Sequence, residues 1–244
     1  MSPFDMEGEV IDMNKQIFVV AGCKPWNKRA YDELIARFSG GEWLFVTNPE
    51  QLSGVLIDSQ PRYIFFVHWS WIVPNEIITK YECVCFHMTD LPYGRGGSPL
   101  QNLIMRGHDK TKLTALRMVE ELDAGPVYYK EDLSLEGNAE EIYIRATYLS
   151  VQMIVRIIEE HPQPIPQDGR EVVFKRRKPS ESNIPQLNSI DSLYDFIRML
   201  DAEGYPHGYL EHAGFVYEFR RAALYDGRIL ADVTISPMKE DNNE

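Results

Sequence analysis

Three short apolar runs, QIFVVAG (16–22), EWLFVT (42–47) and RYIFFV (62–67), alternate with a helically spaced stretch over 27–38 and a polar stretch over 49–60. Strand-like runs alternating with helix-length segments predict an α/β domain with a mostly parallel sheet. A short helix is expected near 75–80, a strand over 82–86, a glycine loop, a helix opening at Pro99, and strands around 112–119 and 126–133. Proline suits a first helical position because that N–H would be unpaired anyway. From Asn138 onward, Ile142, Ala146, Leu149, Met153 and Ile157 hold one apolar face over about five turns, which predicts a long helix packed across the sheet.

The segment HPQPIPQDG (161–169) has three prolines in nine residues and cannot continue that helix, so a semi-rigid connector is expected. Beyond it EVVFKRR reads as a strand, SIDSLYDFIRMLD as a Ser-capped amphipathic helix, and 208–224 with 227–235 as a small β unit. The expected organisation is an amino-terminal extension (1–14), a main domain (15–165), a small α+β carboxy-terminal domain (166–238) and a frayed tail (239–244).

Composition narrows the class. In 244 residues, 44% hydrophobic and 11% aromatic content is ample for a buried core. No apolar run reaches the roughly 18 to 20 residues that span a bilayer, and the acidic start is unlike a signal peptide, so a soluble cytoplasmic protein with no membrane partner is expected. Three cysteines are an odd count, and Cys83 and Cys85 are too stretched along a strand to bridge, which points to reduced, buried thiols. With 25 Lys and Arg against 37 Asp and Glu, the formal charge of -12 disfavours a nucleic-acid partner.

The chemistry gathers in FHMTDLPYGRGGSPL (86–100), where His87 ends a strand-like run. In a doubly wound sheet, ligands collect outside the carboxyl ends of strands. The pattern HxxxLPxGRGGxPLQ from His87, followed 36 residues later by LDAGP around Asp123, resembles the folate-dependent formyltransferase family. HWSWIVP (68–74) resembles the segment whose backbone groups hold the pterin ring. The resemblance covers roughly residues 15–160 and is nearest to the nucleotide-sugar N-formyltransferases. It implies a doubly wound, Rossmann-like formyltransferase fold, with 10-formyltetrahydrofolate as cosubstrate and no metal.

On this match His87 and Asp123 correspond to the family's catalytic histidine and aspartate, while the family's asparagine two before the histidine is Cys85 here. Residue 85 shares a strand face with His87, and a thiol is a poorer donor than an amide. Thr89, a backbone N–H or Asn102 are the alternatives for the oxyanion contact. An amine attacking a formyl carbon needs a donor near the developing oxyanion and a base near the nitrogen. His87 serves as donor or proton carrier, and Asp123 orients or tunes it, directly or through a water. Trp71, Ile72, Val73, Arg95, Leu122 and Asp123 are the expected folate contacts.

For the acceptor, the turn GCKPWNKRAYDEL carries Lys24, Trp26 and Asn27 at the mouth of a strand leading into a helix, where anions are commonly bound. Lys24 would meet a phosphate and Trp26 would stack on a sugar or base. Arg95 and Gly96 are placed at the acceptor too. FKRRKPSESNIP (174–185) resembles the aromatic-Arg-Arg-x-Pro segment of sugar N-formyltransferases, which puts Arg176 and Arg177 near a diphosphate. The resemblance points to a nucleotide-linked amino sugar, further to a UDP-linked 4-amino-4,6-dideoxy sugar for bacterial surface glycans, and it allows a homodimer. The rivals are methionyl-tRNA, glycinamide-ribotide and peptide-synthetase-type formyltransferases, a formyl-folate hydrolase, and a nucleotide-sugar or folate binding protein without catalysis.

Overall fold

The computed structural model describes residues 16–39 and 41–238. The expected extension (1–14) and tail (239–244) lie outside the described residues. The chain divides into two compact units, residues up to Val84 and residues from Cys85 on.

In the first unit, β1 (Ile17–Ala21) leads through α1 (Pro25–Ala30) and a π-helical turn (Tyr31–Ile35) to β2 (Glu42–Val46). Then α2 (Pro49–Asp58), capped by the Asn48 side chain accepting from the Gln51 amide at 2.9 Å, leads to β3 (Tyr63–Phe66). After an irregular segment, α3 (Asn75–Lys80) precedes β4 (Cys83–His87), whose start belongs to this unit. The strand order is β2-β1-β3-β4, and β1 pairs parallel with both β2 and β3. β3 is apolar and buried at every position, as a strand covered on both faces must be. The alternating rhythm of the sequence is thus realised as βα units. The difference lies over 27–38, where the helix begins earlier, at Pro25, and passes into a π-helical turn at Tyr31.

In the second unit, β4 is followed by β5 (Tyr93–Gly96), α4 (Pro99–Ile104), β6 (Lys110–Arg117), β7 (Val127–Ser134) and α5 (Ala139–Glu160). The strand order is β4-β6-β7, with β6 and β7 antiparallel. α5 starts with a reciprocal cap: Asn138 Oδ1 accepts from the Glu141 amide, and Glu141 Oε2 from the Asn138 amide, each at 2.9 Å. Its buried face includes Ile142, Ala146, Met153 and Ile157. It stops at His161, in the left-handed conformation, just before Pro162.

The carboxy-terminal part holds β8 (Val172–Phe174), a 3-10 turn (Pro179–Ser182), α6 (Ile190–Arg198), β9 (Tyr209–His212), β10 (Phe215–Tyr225) and β11 (Arg228–Pro237). The last three form an antiparallel sheet in the order β11-β10-β9. The class is therefore α/β with a parallel-dominated sheet and a small carboxy-terminal β unit, as the pattern predicts. Two features are not in that pattern. The glycine loop contains β5, which pairs parallel with β8. The proline connector is also tied down, since Ile165 and Val127 exchange backbone hydrogen bonds of 2.7 and 2.8 Å.

None of the three cysteines is in a disulfide; Cys83 is buried, whereas Cys23 and Cys85 are half-buried. Burial, with Glu82 adding repulsion, pushes the Cys83 thiol up to about 12, so it stays protonated. No described helix is long and apolar enough to cross a membrane.

Candidate active site

His87 ends β4, and its Nε2 lies 2.8 Å from the carbonyl oxygen of Gly94. A carbonyl can only accept, so Nε2 carries the hydrogen, and in the neutral ring Nδ1 is bare. That Nδ1 faces Asp123 Oδ1 at 3.5 Å. The two side chains are only 9% and 10% exposed, so their interaction is little screened by solvent. A proton arriving at Nδ1 is held beside a carboxylate, which makes His87 a proton acceptor when neutral and a donor at the same atom once charged.

The glycine loop exists to make these contacts. Gly94 (φ +80) turns its carbonyl toward the imidazole; a side chain there would meet Thr89 Cγ2 at 2.6 Å and the Phe174 ring at 2.8 Å. Gly96 (φ +99) donates its amide to Asp123 Oδ2 at 2.9 Å, and a Cβ would lie 2.5 Å from the Phe174 carbonyl. Left-handed backbone without a Cβ is what lets β5 run this close to β8. Leu91–Pro92 is a cis peptide. Asp123 itself is left-handed at φ +56, in the turn before Ala124 and Gly125.

Of the two side chains expected to replace the asparagine, neither is presented as a donor. Thr89 is fully buried, and its hydroxyl points to the same Gly94 carbonyl at 3.4 Å. Asn102 directs its amide to the carbonyls of Gly97 (3.2 Å), Ser98 (3.0 Å) and Lys175 (3.0 Å), locking the start of α4 to the segment after β8. Cys85 is half-buried, one strand period from His87.

Arg95 differs from expectation as well. Rather than a cation open to a ligand, it is ion-paired with Glu121 at 3.2 Å and Glu171 at 3.1 Å and bonded to Gln167. Leu122 stands out beside Asp123, 59% exposed. Arg177 packs over the Phe196 ring, donates its backbone amide to Ser98 Oγ at 3.0 Å and bonds the Glu181 carbonyl; Arg176 is exposed, with its stem against Gly97. Arg176 is thus the member of the pair open to an anion.

In the first unit, Trp71 and Ile72 are exposed, Val73 is buried, and Trp69 meets Trp71 edge-on at 4.9 Å. Lys24 is half-buried near the Trp26 ring. Trp26 is buried edge-on to His68, because Pro25 and Trp26 open a helix whose first turn faces the core, and it offers no free face for stacking. Asn27 is buried too, its Oδ1 accepting from the Lys24 amide at 3.0 Å. These two corrections share one cause, the helix starting at Pro25 rather than after the turn. Burial first, and the Lys24 ammonium second, lower His68 to about 3.

Sequence reading missed the Gly94 carbonyl and gave Gly96 to the acceptor, with no part for its amide on Asp123, although alternating glycines in YGRGG were the available signal. It also missed Gln167, for which the proline-rich segment gave none. Among the described residues, no group of three or more His, Cys, Asp or Glu is placed to hold a metal ion.

Residues 46–158 match the family model described as formyl transferase, and residues 179–236 match that of the methionyl-tRNA formyltransferase C-terminal domain. The curated methionyl-tRNA formyltransferase of Bacillus thuringiensis (strain Al Hakam) is 31% identical over 166 residues, covering 64% of this chain and 52% of that protein. The chain thus spans about half the length of the curated relatives it matches. A solved structure named methionyl-tRNA formyltransferase from Clostridium thermocellum superposes with a TM-score of 0.87 at 42% identity, covering 91% of this chain and 100% of that one. A 4-N formyltransferase from Francisella tularensis shares the fold, with a TM-score of 0.65 at 15% identity over 90% and 97% of the two chains.

Proposed function

Since the chain belongs to the formyltransferase family, we propose that it transfers a formyl group from 10-formyltetrahydrofolate to the primary amine of a nucleotide-linked amino sugar. The folate supplies an activated one-carbon unit at the formate oxidation level, passed from one nitrogen to another without redox change. As the amine bonds to the formyl carbon, His87 Nδ1 takes the proton it sheds and returns it to the folate N10 as the old C–N bond breaks; Asp123 stabilises the charged ring between, and the Gly94 carbonyl keeps that ring from turning away. The exposed Trp71 and Ile72 give the first unit an apolar surface that suits a pterin. A UDP-linked 4-amino-4,6-dideoxy sugar is the first acceptor to try.

The observation that favours a small acceptor is the charge of the carboxy-terminal unit. Residues 179–236 contain four arginines, no lysine and nine carboxylates. Arg198, Arg220 and Arg221 are paired with Asp195, Glu218 and Asp232. Such a surface is poorly made for a phosphate backbone, whose binding rests on unpaired cations. A second reading, methionyl-tRNA as acceptor, is favoured by the likeness to the Clostridium thermocellum structure, at 42% identity over 91% of this chain.

The test is incubation of the purified chain and 10-formyltetrahydrofolate with a panel of nucleotide-linked amino sugars and, separately, with methionyl-tRNA. Formylation of a sugar that is lost in Asp123→Asn supports the first reading. Formylation of methionyl-tRNA alone replaces it with the second. Folate binding with no transfer to either leaves a binding protein.

A further inference from the structure

Gln167 sits in the proline connector, between the two family-matched segments and outside every motif around His87. Its Nε2 donates to the carbonyl of Asp123 at 2.7 Å and to that of Gly125 at 2.8 Å. Its Oε1 accepts from Arg95 Nε at 3.1 Å and Nη2 at 2.9 Å. The amide has one possible orientation here, because a guanidinium only donates and carbonyls only accept. Both hydrogens and the oxygen are engaged, and the side chain is half-buried.

What it holds is the turn that carries Asp123. Asp123 is a non-glycine residue at φ +56, an uncommon conformation that aspartate adopts more readily than most residues and that partners on the neighbouring carbonyls help to fix. Its carboxylate must reach both His87 Nδ1 and the Gly96 amide. Gln167 grips the backbone carbonyls on either side of Ala124 and is anchored through Ile165, which is bridged to Val127 in both directions. Arg95, the other partner of the amide, is also paired with Glu121 on the approach to the same turn.

We propose that Gln167 is a positioning residue for the proposed formyl transfer, fixing the Asp123 turn so that the carboxylate stays on His87. The proposal rests on the reading of His87 and Asp123 as the reacting pair. It assigns the connector a part in catalysis rather than only in joining two segments.

Gln167→Glu and Gln167→Ala separate this from a docking role. Glutamate keeps, and strengthens, the contact with Arg95 but has no hydrogen to give the Asp123 and Gly125 carbonyls. If Gln167 positions the turn, both variants lower kcat by about 10- to 100-fold. KM for folate and acceptor should then move less than about threefold, because the defect lies in the placed carboxylate rather than in binding. The pH–rate profile changes with kcat, toward that of Asp123→Asn. Exchange of the Gly96 amide hydrogen, whose acceptor is Asp123 Oδ2, accelerates in both variants when followed by NMR, a readout that needs no acceptor. If Gln167→Glu matches wild type in kcat and Gly96 exchange, the Arg95 contact is what matters and the proposal fails. It fails too if both variants lose thermal stability with an unchanged pH profile. If wild type transfers no formyl group to any acceptor, the functional reading fails, and Gly96 exchange still reports whether Gln167 holds the turn.

Discussion

Nε2 of His87 is bound 2.8 Å from the carbonyl of Gly94, seven residues further along the chain, so that only Nδ1 is left for chemistry. Glutamine at 87 has an amide to offer that carbonyl but no titratable nitrogen. His87→Gln is therefore expected to keep the fold and lower kcat by about 10²–10⁴-fold, the range of a lost general acid–base. Single-turnover transfer and a melting curve on the same sample check both halves.

Cys85 stands on the same strand face as His87, and the amides and hydroxyls nearest in the sequence are engaged elsewhere: Asn102 on three carbonyls, Thr89 within the core. Cys85→Asn would add a neutral donor of the kind that stabilises a developing oxyanion. A rise in kcat of about tenfold or more is expected, below the full 10²–10³ of a preorganised donor. Unchanged or reduced turnover would mean that a backbone N–H already does this work.

The folate segment is best tested at its exposed positions. Val73 is 5% exposed, so a charge there would disturb the local fold before it disturbed a ligand, whereas Ile72 is 82% exposed. Ile72→Asp is expected to weaken folate binding by about tenfold, roughly one buried aliphatic side chain's worth, with an unchanged melting temperature. Titration calorimetry with tetrahydrofolate decides it, and an unaltered affinity would move the pterin elsewhere.

Stability should fall in mild acid through His68. Burial and Lys24 hold its folded value at about 3, below the ordinary value of 6.5. A histidine depressed in this way contributes stability fully above about pH 6.5, and that contribution is lost as pH falls from there toward 3. The His68 backbone is in the left-handed region at φ +54, which asparagine tolerates. Urea midpoints measured from pH 7 to 4 should therefore drop more steeply in wild type than in His68→Asn.

The residues that were legible in the sequence are those whose neighbours are close along the chain or whose pattern is periodic. β1, β2 and β3 are contiguous apolar runs, and α5 has its cap and its stripe written out in order. His87 and Asp123 were legible through their motifs, and the structure places them side by side. β5 was not, since Tyr93–Gly96 has neither alternation nor apolar continuity and becomes a strand only because β8 lies beside it. Trp26 and Asn27 were misplaced because an aromatic and an amide in a turn look available until the helix that turns them inward is seen. Arg95 was given to the folate and the acceptor because its partners Glu121, Gln167 and Glu171 are distant in sequence.

The pairing of β5 with β8 bears on how relatives of this chain can be recombined. The prolines of 161–169 look like a natural seam, and a hybrid joined at 165 would seem to exchange a carboxy-terminal module for another. It would in fact import from the donor the strand Val172–Phe174, the Phe174 ring packed beside Gly94, and the Lys175 carbonyl that receives Asn102. The reactive loop of one parent would then be shaped by the other. A splice placed beyond Lys178 leaves those supports with the loop they fit, and the contacts that a donor segment must then reproduce lie away from that loop, at Gln101, Leu135, Gly137 and Glu140.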